Sequence, residues 1–232
     1  MQEAPQAAFV SLQPSETNSI EVASYGAGVI EQVLQLGSLA TTLFNDTKQY
    51  ASLTRTESCT NGGLVEFEFI DVDQSETPTS GDSIRATYRD CFLAQLNKTV
   101  AGDFNISIDE ISDTEAASIV TMQIDAADME IADNQGTVLS LQNAFDVRYE
   151  ERELNNALSV SGRALFLYDD GSDVLEDLID NFEFTRVVSK QSARYTVTAS
   201  GQVSSEVLQG QFDIVAGEGL SGFLGTYPEQ GG

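Results

Sequence analysis

Val22, Tyr25, Val29, Val33, Leu36, Ala40 and Leu43 recur at spacings of three and four, the stripe of one helix face. This predicts a single amphipathic helix over about residues 19–44. Ser15 or Thr17 can cap its start, Glu21 suits the positive first turn, and Gly26, Gly28 and Gly37 mark places where it could kink. Ahead of it, residues 1–16 are polar and carry Pro5 and Pro14, which predicts a loose arm.

After Lys48 the period changes to two. Val65, Phe67 and Phe69 alternate with Glu66 and Glu68, and Ile84, Ala86 and Tyr88 alternate with Arg85 and Arg89. The same alternation runs through Val100 to Ile108, Leu139 to Tyr149, Leu158 to Phe166, Phe182 to Val188, Tyr195 to Val197, and Phe212 to Ile214. One polar and one apolar face marks antiparallel strands with one side in water, whereas parallel strands covered on both sides are apolar throughout. About 9–10 strands are expected, with hairpin turns at Asp133-Asn134-Gln135-Gly136, Asp169-Asp170-Gly171-Ser172 and Ser200-Gly201. Around Ala126-Ala127-Asp128 the apolar parity slips, which predicts a β-bulge or a break between strands. The fold class is therefore α+β, mostly β. It is a curled antiparallel, half-barrel-like meander over residues 17–232, packed on the one helix.

Charge narrows the function. With 11 Lys and Arg against 37 Asp and Glu, the formal net charge is −26, so nucleic acid and anionic membrane surfaces would repel the chain. A saline habitat would account for such a surface, and so would a polyanion built to bind cations or repel neighbours. There is no His and no Trp, which removes His-based triads, His metal sites and the usual neutral-pH proton shuttle. No G-x-S-x-G elbow, S-x-x-K, P-loop or dinucleotide fingerprint occurs. Paired carboxylates suffice for glycoside hydrolysis, but with 37 acids any pair can be picked out, so pairing alone selects nothing. The expectation is a protein that is not an enzyme. The Asn-x-Ser/Thr triplets at Asn45, Asn97 and Asn105 are short patterns that chance supplies.

Two features carry candidate chemistry. Cys59 and Cys91 are the only thiols and bracket two strands and a long turn, which favours a disulfide over two unrelated buried thiols and with it an oxidising compartment. Asp71, Asp73 and Asp82 frame the loop FIDVDQSETPTSGD. Clustered hard oxygens in a flexible loop suit Ca²⁺, although the spacing is not that of an EF-hand; the alternative is a solvated hairpin loop with no metal. Asp169, Asp170, Asp173 and Asp177 form a weaker cluster of the same kind. Asp71-x-Asp73 after an apolar strand also matches the nucleophile loop of haloacid-dehalogenase-type phosphatases, but that fold needs a buried parallel strand, and Glu66 and Glu68 make this one amphipathic.

The series C-x-x-G-G, D-x-D, S-G-D, Cys and G-x-F-x-I-x-I between Cys59 and Ile111, with Ser161-Gly162 and Gly210-Gln211-Phe212-Asp213-Ile214 later, resembles secreted or lipoprotein-type β-rich proteins of Gram-negative bacteria. The resemblance implies export, a hairpin disulfide and an envelope location, and no activity. The chain departs from a lipoprotein in having no Cys near its start. MQEAPQAA looks like a mature exported start with an added Met, and Gly225 to Gly232 like a turn before a further strand.

The expected function is thus a non-enzymatic secreted or cell-envelope domain with a surface, protein-partner or ligand-binding role, in the periplasm, on the outer membrane or outside the cell. The alternative is a structural subunit, an adhesin or filament component, that self-associates through strand edges, using the N-terminal arm and an open C-terminal edge. A carrier of an apolar ligand in the concave sheet is a third reading, and it requires that the helix leave the trough empty.

Overall fold

The computed structural model describes residues 11–12, 19–49, 54–94, 97–126, 129–132, 138–142, 144–169 and 171–223. Helix α1 (Ser19–Gln49) is followed by β1 (Thr54–Ser58), β2 (Leu64–Ile70), β3 (Ser83–Leu93), β4 (Lys98–Asp113), β5 (Ala117–Asp125), β6 (Glu130–Ala132), β7 (Val138–Gln142), β8 (Ala144–Arg152), β9 (Asn155–Asp169), β10 (Val174–Ser189), β11 (Arg194–Ser205) and β12 (Gly210–Phe223). The apolar stripe set the start of the helix well. Its last turn runs on past Phe44, with Lys48 over the Phe44 ring at the negative end of the helix.

All twelve strands join one antiparallel sheet. The main path, β1-β2-β3-β4-β5-β8-β9-β10-β11-β12, has ten members, of which β1 stood outside the alternating runs read from the sequence. β6 and β7 are continuations of their neighbours: β4 pairs with β5 through Asn105↔Asp125 and with β6 through Ala101↔Glu130, while β9 pairs with β7 through Leu165↔Gln142 and with β8 through Gly162↔Phe145. The parity slip at Ala126 is the break between β5 and β6, closed by a Met129 N–H donating to the Ala126 carbonyl at 3.0 Å. Ala127, Asp128, the turn at Asp133 to Gly136, Asp170, the proposed caps Ser15 and Thr17, and the C-terminal Gly225 to Gly232 lie outside the described residues.

Bulges curl the sheet. β10 shifts register between Ile179 and Phe182, where Asn181 takes φ 48°, and β3 shifts between Tyr88 and Cys91, where Asp90 takes φ 50°. Gly162, at φ 141°, sits between Phe145 and Phe182; a Cβ there would meet Phe145 Cβ at 3.1 Å, so the two rings close over the bare backbone.

α1 crosses the concave face from the last strand to the first. Tyr25 stacks edge-on against Phe212 of β12, Gly37 lies against Val160 and Leu158 of β9, Arg186 of β10 donates to Ser38 Oγ at 2.7 Å, and Asp46 pairs with Arg55 of β1 at 3.3 Å. The helix thereby spans the open seam between β1 and β12. Val33, Leu34 and Ala40 are fully buried with Phe104, Ile106, Met122, Val160 and Phe184, making one core. The Cys59–Cys91 disulfide forms, with Cα atoms 5.4 Å apart, and ties the β1–β2 turn to β3. Of the expected loose arm, Ser11 and Leu12 are held on the edge of β12: Ser11 bridges Gln211 in parallel, and the Leu12 N–H donates to the Gln211 carbonyl at 2.7 Å.

Candidate functional site

Residues 71–82 connect β2 to β3, and their three aspartates meet: Asp71, Asp73 and Asp82 each place a carboxylate oxygen within 4.8 Å of the other two. The backbone arranges this by entering the left-handed region at Gln74 (φ 60°) and Glu76 (φ 61°), folding the loop back over its own start. The loop is also pinned to β4, since the Gly81 N–H donates to the Ile108 carbonyl at 2.8 Å and the Ser80 hydroxyl to the Asp109 carbonyl.

The loop's own donors occupy the carboxylates. Asp82 is 1% exposed; one oxygen accepts the Val72 N–H at 2.8 Å, and the other the Thr79 N–H at 2.7 Å and Thr79 hydroxyl at 3.0 Å. Asp71 accepts the Ser75 and Glu76 N–H groups at 3.1 and 2.8 Å. Asp73 accepts from the Ser75 N–H and the Thr79 hydroxyl, and hydrogen bonds from Ser75 and then Thr79 hold its carboxyl below the usual range. Five donors, of which the Ser75 N–H and the Thr79 hydroxyl are each shared between two carboxylates, make a self-capped turn, the structural version of the alternative weighed above. The unused lone pairs still offer one oxygen apiece to a cation, so a Ca²⁺ would be held by Asp71, Asp73 and Asp82. β2 is antiparallel to both neighbours, so the loop does not stand at the end of the parallel strand that an aspartyl-phosphate mechanism needs.

Among the described residues the second acidic cluster does not converge. Asp169 and Asp173 are exposed on the β9–β10 turn, where Asp169 accepts the Gly171 N–H at 2.8 Å. Asp177 points the opposite way, fully buried in the concave face. Sequence reading also missed Glu150, which is 5% exposed on the outer face between Arg148 and Arg152; the bond from Arg152, then that from Arg148, holds its carboxyl below the usual range. The i±2 spacing on β8 was the available signal, because alternate strand residues share a face.

A pocket lined by Leu43, Thr47, Arg55, Phe67 and Ile84 holds about 10 Å³, space for one water and far short of an acyl chain. Among the described residues no helix is long and apolar enough to cross a membrane, which says nothing of strands. No protein-family model matches the chain, and neither a curated protein nor a solved structure matches it.

Proposed function

We propose that the chain is a non-enzymatic domain of the cell envelope or extracellular space that works through its outer surface and strand edges. The observation that carries this reading is α1 itself: by filling the concave face from β12 to β1 it takes the place that an internal ligand would need. Recognition is then left to the convex face and the edges. The Cys59–Cys91 disulfide supports an oxidising compartment. A surface of net charge −26 supports a role among soluble or cationic partners, away from nucleic acid and anionic lipid.

A second reading, a structural subunit joined through strand edges, draws on the Ser11–Leu12 contact, in which a short extended segment is already added to β12. Size-exclusion chromatography with multi-angle scattering separates the two, using the full chain and a form lacking residues 1–12. The primary reading expects a monomer in both. Concentration-dependent oligomers of either form would favour the structural subunit.

A further inference from the structure

We propose that Asn61 is a self-modification site: the peptide nitrogen of Gly62 converts its side-chain amide to a carboxyl group, and the disulfide-pinned turn around the pair holds the reaction back.

The sequence supplies the reactive pair once. Asn61-Gly62 is the only Asn followed by Gly in the chain. After every other asparagine the next residue carries a side chain, which crowds its own peptide nitrogen, whereas glycine leaves that nitrogen open and the backbone free to rotate. Asn105, Asn155, Asn156 and Asn181 also stand within β4, β9 and β10, where the sheet holds the chain extended.

The fold presents the pair outward. Residues 59–63 join β1 to β2, and Asn61 and Gly62 are both exposed there. Gly62 takes φ 107°, and a Cβ placed on it would meet nothing within 4 Å, so the space around it is open to solvent.

The chemistry needs only water and a base in solution. The base takes the proton of the Gly62 N–H, and the nitrogen attacks Asn61 Cγ. An N–Cγ bond forms, the Cγ–Nδ2 bond breaks, and the side-chain nitrogen leaves as ammonia. Water then opens the cyclic succinimide. Attack at Cγ breaks the new bond and gives aspartate. Attack at the main-chain carbonyl carbon breaks the original peptide bond to Gly62 and gives isoaspartate, whose chain runs through the former side chain. Either way an amide and a water become a carboxylate and an ammonium ion, and nothing is oxidised or reduced.

The turn restrains the step. The Gly62 N–H donates to the Cys59 carbonyl at 3.3 Å, and Asn61 stays outside the left-handed region, so Thr60 and Asn61 form the middle of a type I turn. Ring closure rotates the Asn61 backbone away from that geometry and carries the Gly62 nitrogen off the Cys59 carbonyl, so the turn has to open first. Both of its legs are held on β3. Cys59 is bonded to Cys91, and Gly63 lies so close to Asp90 that a Cβ on it would sit 2.2 Å from the Asp90 carbonyl oxygen. The reaction is independent of what the domain binds. Its product adds a negative charge beside the β1 edge and, as isoaspartate, lengthens the turn by one backbone atom.

Incubation of the full chain in mildly alkaline buffer made with heavy-oxygen water tests this, read by peptide mass spectrometry that separates aspartate from isoaspartate. Oxidised, reduced and urea-unfolded chains are compared, with circular dichroism reporting whether the reduced chain is folded. We expect heavy oxygen to enter at position 61 ahead of Asn105, Asn156 and Asn181 in every state. Reduction should raise the rate by about tenfold, the effect of taking about 1.4 kcal/mol off the opening of the turn, and unfolding should raise it further. Gly62→Ala should suppress the conversion in the unfolded chain, where backbone strain no longer matters. Thr60→Pro, which stiffens the second position of the turn, should slow the oxidised chain. No heavy oxygen at position 61 in the unfolded chain, or conversion there no faster than at Asn105, would overturn the site. Equal rates in the oxidised and reduced chains would overturn the restraint. Should reduction unfold the chain, Thr60→Pro decides that point, and an unchanged rate would overturn it.

Discussion

Gly37 of α1 and Val160 of β9 are in contact so close that a Cβ on Gly37 would lie 2.6 Å from Val160 Cγ2. Valine is stiff at χ1 and cannot swing away, so the helix itself would have to lift. Gly37→Ala gains about 1 kcal/mol of helix propensity but incurs overpacking of about 1–3 kcal/mol. We expect a net loss near 1 kcal/mol, read as a lower urea midpoint. In a Val160→Ala background the same change should become neutral or stabilising, which a double-mutant cycle would reveal.

The Cys59–Cys91 bridge spans 32 positions and joins the β1–β2 turn to β3. On the chain-entropy model a loop of that length is worth about 3 to 4 kcal/mol. Reduction should therefore lower the denaturation midpoint and raise the m-value, because the unfolded chain loses a constraint and exposes more surface. It should leave the far strands β9 to β12 folded until the whole sheet melts.

For the loop at Asp71, Asp73 and Asp82, five internal donors already order the carboxylates. Ca²⁺ and Mg²⁺ should then raise the melting temperature alike, by screening a net charge of −26. An Asp71→Asn and Asp73→Asn double variant should respond to both ions in the same way. Asp82→Ala should cost about 1–3 kcal/mol without any ion, because it removes the buried, charged acceptor of the Val72 and Thr79 N–H groups. A shift specific to Ca²⁺, abolished by the double variant, would make the loop a calcium site.

Asp177 gives a stability effect whose sign is opposite to that of most carboxylates. Its folded pKa, about 6, lies above the ordinary 3.8, so the native state binds the extra proton and stability is lost as pH rises between those values. Asp73 and Glu150, with carboxyls held low, lose their contribution only in more acidic solution. Asp177→Asn removes the Asp177 slope. The variant's stability relative to wild type should therefore improve from pH 4 to pH 6.5, by at most about 3 kcal/mol, in paired urea titrations.

Alternation made the strands legible because one wet and one dry face force a period of two, and the bare stripe from Val22 to Leu43 made α1 legible for the matching reason at 3.6. The inward polar residues were not legible. Asp177 and Ile179 face inward on odd positions, but the bulge at Asn181 resets the phase, and beyond it Phe182 and Phe184 face inward on even ones. Without that bulge in view, a polar residue in phase with the core reads as an outward one. The docking of Leu12 on Gln211 was hidden for another cause: it joins the two ends of the chain, and nothing local in either segment encodes the partner. At the Asp71, Asp73 and Asp82 loop the sequence showed which residues converge. It could not show that the loop's own N–H groups would fill them, since that depends on the left-handed turns at Gln74 and Glu76.

The central claim is that α1 fills the concave face and leaves recognition to the exterior. Native mass spectrometry of the protein purified from its source tests this most directly. The account predicts a disulfide-bonded chain free of small apolar ligands, alone or bound to protein. A stoichiometric lipid or other apolar molecule retained by the folded monomer, and lost on Gly37→Trp, would contradict it.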